Sequence, residues 1–145
     1  MCLSHLKQIG NAILFYNMEF GSRLPTSLAL IAGNEGLDGR AMICGSTGDT
    51  PAAGSTTRAF IDELEKPGHC SYVFVAGGLN LAELPADAVL AYEPAARHNM
   101  TQVLFADGHA ERLPVSAEIV ILQQVANGVS PVRYPTTQPS TQGGQ

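Results

Sequence analysis

Three polar residues in the C-terminal part of the chain have types and a spacing that could bind a metal ion. They are His98, Asp107 and His109, and two imidazoles with one carboxylate form a common ligand set for zinc or iron. Asp107-Gly108 is also the dipeptide that a two-residue type I′ hairpin turn favours, because both central residues of that turn have positive φ. The sequence offers no fourth ligand for such a site, and no residues that would orient the three ligands by hydrogen bonds. We therefore expect a structural turn that holds neither a metal nor another cofactor.

The rest of the sequence contains no pattern of catalytic residues. The motifs G-x-S-x-G and H-E-x-x-H are missing, and segment 45–54 has glycines but not the Gly-Lys of a phosphate-binding loop. His5 falls on the polar side of the first predicted helix, where exposure to solvent is expected. We expect the chain not to be an enzyme. A small metal-dependent enzyme that uses His98, Asp107 and His109 is the least favoured alternative.

Three cysteines, Cys2, Cys44 and Cys70, permit one disulfide bond and leave one thiol over. They contain no C-x-x-C pair of the kind found in zinc sites. In an oxidising compartment the local sequence favours a disulfide between Cys44 and Cys70, because these residues lie at the two ends of a segment made of one loop and one predicted helix. Three small buried thiols are the other interpretation.

Composition and charge exclude several classes of protein. The 145 residues include 8 Lys and Arg against 13 Asp and Glu, a formal net charge of −5. A nucleic-acid partner is not expected, because phosphate binding needs clustered basic residues. Charged residues make up 14% of the chain, against roughly 25% in ordinary domains, which is common in exported, loop-rich proteins. No apolar run approaches the roughly 18–20 residues that span a bilayer.

The first predicted element is an amphipathic helix over Leu3–Phe20. Its apolar residues recur at spacings of three and four, and Gly21 is expected to end it. Leu14 and Phe15 lie off the main apolar stripe, so the helix is expected to contact protein on more than one side.

The other predicted elements are short and lead to an α+β fold class. In chain order they are a helical turn Leu28–Ile31, an extended piece Arg40–Cys44, a hydroxyl-capped helix Arg58–Glu65, strands Ser71–Ala76 and Val89–Tyr92, a hairpin of Gln102–Ala106 with His109–Leu113, and a helix Ala117–Ala126 capped by Ser116. We expect one domain, residues 1–131, in which the first helix packs on a small antiparallel sheet and a helix closes the fold. Residues 132–145 are expected to form a disordered, low-complexity tail.

Two blocks of sequence resemble bacterial prepilin-like proteins, the type II secretion pseudopilins and their relatives. Cys2–Ala12 (CLSHLKQIGNA) resembles the segment after the transmembrane stretch of these proteins. Arg97-His98 followed by Val103–His109 (VLFADGH) resembles the branch marked by a His, nine residues, and then Asp-Gly. Ser71–Gly77 and Ala88–Glu93 precede it in the same order as in that branch. Here eight residues separate His98 from Asp107, which indicates a one-residue deletion.

The resemblance makes His98, Asp107 and Gly108 the family motif and implies a pilin-like fold. It implies a structural subunit of a type II secretion or type IV pilus-like filament, without catalysis. The full-length protein would be processed by prepilin peptidase and anchored in the inner membrane before it assembles in the periplasm. A leader and an apolar half-helix would then precede Cys2, and the family pattern would pair Cys2 with Cys44.

An extracytoplasmic binding or adhesion module on a pilin scaffold is the alternative function. Its variable loops would be Gly45–Thr57 and Leu79–Asp87. In that case the pilin-like elements would serve only to hold the loops, and exposed apolar loop residues would bind a defined ligand.

The resemblance implies that the partners are other pseudopilin subunits, which bind through the first helix. Leu14 and Phe15 are expected to face a neighbouring subunit, with Leu3 near the membrane-proximal end. Without the apolar half-helix, the main stripe is expected to be occupied by the chain's own sheet, and a net charge of −5 opposes self-association. We therefore expect this chain to be a monomer at micromolar concentration.

Overall fold

The computed structural model describes residues 2–21, 23–44, 49–94 and 100–135, with only the backbone of Cys2. Its helices and strands, in chain order, are α1 (Cys2–Phe20), α2 (Leu28–Asn34), α3 (Thr57–Leu64), β1 (Val73–Phe74), β2 (Val89–Glu93), β3 (Met100–Phe105), β4 (Ala110–Pro114) and α4 (Val115–Ala126). Two short 3-10 helices cover Gly39–Met42 and Leu81–Glu83. The α+β class is confirmed, with an N-terminal helix, an antiparallel sheet and a C-terminal helix.

The strands form one antiparallel sheet in the order β1-β2-β3-β4, so each strand pairs with its neighbour in sequence. Val73 pairs with Tyr92, Ala91 with Leu104, and Leu104 in turn with Ala110. The register shifts between Val89 and Ala91, where β2 carries an irregularity. The sheet is therefore a meander, in which the connection from β3 to β4 is short and the connection from β1 to β2 contains a 3-10 helix.

Each face of the sheet is covered by a different helix. On one face, Leu90 and Leu104 belong to a core that contains Leu6, Ile9 and Ile13 of α1. On the other face, α4 supplies two buried residues to a second core, which contains Val89, Val103, Phe105, Leu113, Ala117 and Ile121. Successive residues of a strand point to opposite faces, so these memberships place α1 and α4 on opposite sides of the sheet.

Of three predicted helix boundaries, the end of α1 and the start of α3 are confirmed, and the start of α4 is wrong. α1 ends at Phe20 as predicted, and Gly21 follows with a φ of +91°. The Thr56 hydroxyl accepts a hydrogen bond from the Ala59 N–H at 3.1 Å, which confirms a hydroxyl cap for α3. The prediction that Ser116 caps the last helix is wrong. β4 runs directly into α4 at Pro114, so Ser116 already lies in the first turn, and Pro114 supplies no side-chain cap.

Two predicted extended segments are wrong or too long. The predicted extended piece Arg40–Cys44 is wrong at its start, because Asp38 accepts the Arg40 N–H at 2.9 Å and starts a 3-10 helix that continues to Met42, whereas Ile43 is extended. The predicted strand over Ser71–Ala76 shortens to β1. Ser71 donates its N–H to the carbonyl oxygen of Met42 at 2.8 Å, so the start of that segment bonds outside the sheet.

The packed part of the chain extends past residue 131. Val132 is buried and accepts a hydrogen bond from the Val89 N–H at 2.7 Å, and Tyr134 donates to the carbonyl oxygen of Asp87 at 3.1 Å. Arg133 pairs with the Asp87 carboxylate at 2.9 Å. Residues 132–134 therefore belong to the fold, and the predicted tail from 136 onward lies outside the described residues.

A search of the described helices for a membrane span finds none that combines sufficient length with sufficient hydropathy.

Replacing Leu104 by alanine tests the core between α1 and the sheet. Leu104 is fully buried, and its Cδ1 would lie 2.9 Å from a Cβ on Gly10, so α1 packs closely on this side chain. We expect Leu104→Ala to lower the free energy of unfolding by about 2–5 kcal/mol, because a buried cavity forms. Leu122→Ala is the control: it removes the same atoms from an exposed site and is expected to change that free energy by about 0.5 kcal/mol or less. Equal losses in urea denaturation would contradict this core.

Candidate functional site

The hairpin that carries Asp107 and His109 has a three-residue loop. Gly108 donates its N–H to the carbonyl oxygen of Phe105 at 2.9 Å, and Phe105 donates to the carbonyl oxygen of His109 at 2.9 Å. Gly108 has a φ of +93°, whereas no described residue other than glycine has positive φ. The predicted type I′ turn is therefore wrong. A β-turn closed by a left-handed glycine is the usual three-residue hairpin loop, and here the glycine follows Asp107.

Both ring nitrogens of His109 contact carboxylates. Nδ1 is hydrogen-bonded to Oδ1 of Asp107, which also accepts the backbone N–H of His109 at 3.0 Å. Nε2 lies 2.7 Å from Oε2 of Glu111, and Glu111 is buried. The imidazole stacks on the ring of Phe105 with centroids 4.7 Å apart and an interplanar angle of 12°. The imidazole of His109 thus bridges the carboxylates of Asp107 and Glu111 at the end of the hairpin.

This geometry supports a structural role for the motif. A metal ion would have to displace one carboxylate from His109, since each nitrogen already has a hydrogen-bond partner. Within the described ranges, no group of three or more His, Cys, Asp or Glu residues is arranged to hold a metal. The predicted third member, His98, lies outside the described residues. Sequence reasoning missed Glu111, although its position two residues after His109 puts both side chains on one face of a strand.

A second polar cluster, also missed, lies buried between β2 and β3. The carboxylate of Glu93 is almost fully buried and accepts a hydrogen bond from Nε2 of Gln102 at 2.5 Å. Thr101 donates its hydroxyl to the carbonyl oxygen of Glu93 at 2.7 Å. Burial, and then the nearby charge of Glu93, raises the pKa of Tyr72. These hydrogen bonds link the two strands and help to fix their register, although the buried Oε1 of Gln102 has no hydrogen-bond partner.

Cys44 is disulfide-bonded and buried, whereas Cys70 is a free thiol. The predicted bond between Cys44 and Cys70 is therefore wrong. The cause is the register of the two segments, because Cys44 donates its N–H to the hydroxyl of Ser71 at 2.8 Å, so that Ser71 faces it. Cys70 instead contacts the carbonyl oxygen of Tyr72 with its sulfur at 3.3 Å, and burial raises its pKa. The other predicted pairing involves the side chain of Cys2, which is outside the described part of the structure.

The outer face of α1, defined here as Leu14, Phe15 and Met18, is apolar and exposed. Phe20 is exposed as well, but it lies on the other side of the helix, where its ring is 4.5 Å from that of Tyr16. Leu14 is 48% exposed and Phe15 is 54% exposed, while Leu3 is half-buried against the core. The inner face is occupied by the chain's own sheet, as expected.

The prediction that His5 is exposed to solvent is wrong. The side chain of His5 is half-buried, and its Nδ1 is hydrogen-bonded to the carbonyl oxygen of Ile43 at 2.9 Å.

A groove of about 230 Å³ runs beside Phe15 and contains the side chain of Glu35. The carboxyl group of Glu35 lies close enough to that of Glu19 for a hydrogen bond between them when one of the two is protonated. That bond, then burial, then the charge of Glu19 raise the pKa of Glu35. A carboxyl pair of this kind is most favourable while it holds a proton.

No protein-family model matches this chain, and no curated protein or solved structure is significantly similar to it. The resemblance to prepilin-like proteins stays a hypothesis based on the quoted segments. Function must therefore be argued from the hairpin cluster and the exposed helix faces themselves.

Gly108→Ala tests the backbone conformation of the hairpin loop. A Cβ at this position would meet no atom within 4 Å, so any cost comes from its positive φ alone. We expect a loss of about 1–2 kcal/mol in the free energy of unfolding. Gly108→Asn is the matched control, because asparagine tolerates the left-handed region and should lose less. An alanine variant as stable as the asparagine variant would contradict the assigned conformation.

Glu35→Gln tests the carboxyl pair through the pH dependence of stability. A raised pKa in the folded state stabilises the fold below the ordinary glutamate pKa of about 4.3, and that contribution is lost as pH rises through the raised value. The wild type should therefore lose stability relative to Glu35→Gln between mildly acidic and neutral pH. Asp38→Asn should behave in the opposite way, because the Arg40 N–H and guanidinium lower the pKa of Asp38. Parallel curves for wild type and Glu35→Gln in denaturant titrations would contradict the pairing.

Proposed function

We propose that this chain is the globular part of a pseudopilin-like structural subunit, which acts by assembling into a type II secretion or type IV pilus-like filament. The observation that carries the proposal is the two-sided character of α1. Its inner face packs on an antiparallel sheet, and its outer face exposes three large apolar side chains, Leu14, Phe15 and Met18. A helix with apolar residues on both sides is suited to joining its own domain to a neighbour.

The energetics of the outer face favour association over catalysis. Full burial of a large apolar side chain contributes about 1.5–3 kcal/mol, so three that are between 48% and 71% exposed could contribute several kcal/mol in contact with a partner. In contrast, the His109 cluster has its polar atoms engaged within the hairpin. The proposed activity is therefore binding through an apolar helix face.

The chemistry of the chain supports an extracytoplasmic location. Cys44 is disulfide-bonded, and such bonds persist mainly in oxidising compartments such as the periplasm. We place the filament there, with the full-length protein anchored in the inner membrane before assembly. The proposal needs no metal, cofactor or nucleic acid.

A binding or adhesion module is a second candidate, favoured by one observation. A cavity of about 450 Å³ lies between α2, α3 and the loop that precedes α3, with Gly39, Gly54, Thr56 and Phe60 among its lining residues. Its volume falls within the range of small-molecule sites. Its walls are mostly backbone and small side chains, which suits a polar ligand better than an apolar one.

Phe15→Lys in the full-length protein tests the proposed filament contact. We expect loss of filament assembly in cells, because a charge would replace an apolar side chain at the subunit contact, while the isolated domain keeps its stability. Val73→Lys is the matched control, since Val73 is also an exposed apolar residue but lies on β1. Filaments of normal number and length with Phe15→Lys, observed by electron microscopy, would contradict the proposal.

The coding sequence upstream of Cys2 provides an independent test. The proposal requires an apolar stretch of about 20 residues there, preceded by a prepilin-type cleavage site. A gene that encodes neither would contradict it.

A further inference from the structure

The cavity between α2, α3 and the loop 49–56 has two glycines in its lining at which a side chain would collide with backbone. A Cβ on Gly39 would lie 2.4 Å from the carbonyl oxygen of Ala52, and a Cβ on Gly54 would lie 2.5 Å from the backbone nitrogen of Phe60. The loop therefore packs closely on the 3-10 helix at one point and on α3 at another. The cavity between these contacts is formed by the fold itself.

The start of the same loop is also fixed in place. Thr50 donates its N–H to the carbonyl oxygen of Gly68 at 2.9 Å, and the carbonyl oxygen of Thr50 lies 2.8 Å from Nδ1 of His69. Nε2 of His69 lies 3.1 Å from Oε2 of Glu63, which belongs to α3. These contacts connect the loop to the helix that forms the facing wall. Polar groups on the loop are therefore held in position for a ligand, which lowers the entropy lost on binding.

The loop lines the cavity with backbone groups that lack a backbone partner. Within the described ranges of the chain, the N–H and carbonyl groups of Ala52, Ala53 and Gly54 form no hydrogen bond to another backbone group. Ala52 is moreover a buried residue. Buried backbone groups are almost always paired, and where no protein group is in reach the partner is water or a ligand. The loop thus offers both donors and acceptors to a molecule in the cavity.

The facing wall combines one aromatic ring with hydroxyl groups. Phe60 lines the cavity and packs against the core that contains α1, and the hydroxyl-bearing residues near it are Ser55, Thr56 and Thr57. The Thr56 hydroxyl accepts the Ala59 N–H and still has its own hydrogen to donate. A ligand rich in hydroxyl groups matches such walls, because each hydroxyl both donates and accepts. The partly negative face of an aromatic ring also attracts the polarised C–H groups of such a ligand.

The charges at the cavity favour a neutral ligand. Asp38 is the one charged residue among the described residues that line it, and its carboxylate is paired with the guanidinium of Arg40 at 3.3 Å. An anionic ligand would meet this carboxylate and a net charge of −5, and a cationic ligand would compete with Arg40. An extended peptide would need a strand edge to pair with, whereas the loop 49–56 contains no strand.

We propose that this cavity binds a neutral saccharide unit, whose hydroxyl groups bond to the backbone of the loop while one face of the sugar ring packs on Phe60. The volume of about 450 Å³ is open to solvent, so that a sugar that belongs to a larger glycan can enter. The inference deepens the second candidate function and rests on it, because it names the ligand class of the same cavity. It is independent of the proposed filament contact, which concerns α1.

An NMR titration of the ¹⁵N-labelled chain tests the ligand class. The neutral probes are glucose, galactose, N-acetylglucosamine, cellobiose and lactose, and the charged counterparts are glucose 6-phosphate and glucosamine. We expect at least one neutral saccharide to shift the amide signals of Gly39, Ala53 and Gly54 with a dissociation constant of about 1 mM or tighter. The charged counterparts should bind more weakly than glucose and N-acetylglucosamine.

Variants of the cavity wall locate the site. Phe60→Leu keeps an apolar side chain against the core but removes the ring, and it should weaken binding about tenfold. Ala53→Trp should abolish binding, because an indole at this exposed position fills the cavity. The matched controls are Phe20→Leu and Ala59→Trp, which make the same changes at exposed positions outside the lining and should bind as the wild type. Circular dichroism and thermal unfolding establish that each variant is folded.

Three outcomes would overturn the inference, and they separate it from the candidate function on which it rests. If glucose 6-phosphate or glucosamine binds more tightly than its neutral counterpart, the cavity remains a binding site and only the ligand class fails. If Ala59→Trp weakens binding as much as Ala53→Trp, the saccharide binds elsewhere. If no probe shifts the cavity amides, the second candidate function loses the site that favours it, whereas the filament proposal still depends on Phe15→Lys alone.

Discussion

The central strands of the sheet are buried on both faces, and the positions of both long helices depend on this. All five residues of β2 are buried, and Val103, Leu104 and Phe105 of β3 are fully buried. Strands buried on both faces need a covering layer on each side, unlike the common antiparallel sheet with one face in water. α1 and α4 provide these layers, and each can give only one of its sides to the sheet. The outward apolar residues of both helices therefore remain exposed.

The hairpin loop also has a part in placing α1. Gly10 lies at the closest approach of the helix, where an added Cβ would be 3.6 Å from the carbonyl oxygen of Gly108. A shared pocket of about 220 Å³ includes Gly10, Leu14, Asp107 and Gly108 in its lining. The bonds from Asp107 and Glu111 to His109 hold this loop in one conformation. Asp107 and Gly108 therefore lie beneath α1, next to Leu14 of its exposed face.

The sequence predicted the secondary structure correctly where a segment's conformation depends on its own residues. The periodicity of α1, the hydroxyl cap of α3 and the hairpin strands are of this kind. The prediction that Arg40–Cys44 is extended was wrong at its start. There the hydrogen bond from the Arg40 N–H to the Asp38 side chain, rather than the apolar content of the segment, decides the backbone conformation. The predicted disulfide between Cys44 and Cys70 was wrong because Ser71, not Cys70, lies opposite Cys44. That is a tertiary contact, which local sequence does not reveal. The hydrogen bonds of residues 132–134 to β2 and Asp87 likewise depend on a strand more than 40 positions away.

The balance of satisfied and unsatisfied groups is the physical argument for assembly. Interior polar side chains form pairs such as Glu93–Gln102 and His109–Glu111, although the buried Oε1 of Gln102 and Oε2 of Glu35 have no hydrogen-bond partner. Of the large apolar side chains exposed in the described residues, four lie on α1 and six on or after α4. A catalytic site normally shows the reverse, with perturbed polar groups in a concave pocket. The exposed apolar side chains of α1 can be removed from water only by contact with another molecule, which is the physical basis of the proposed assembly.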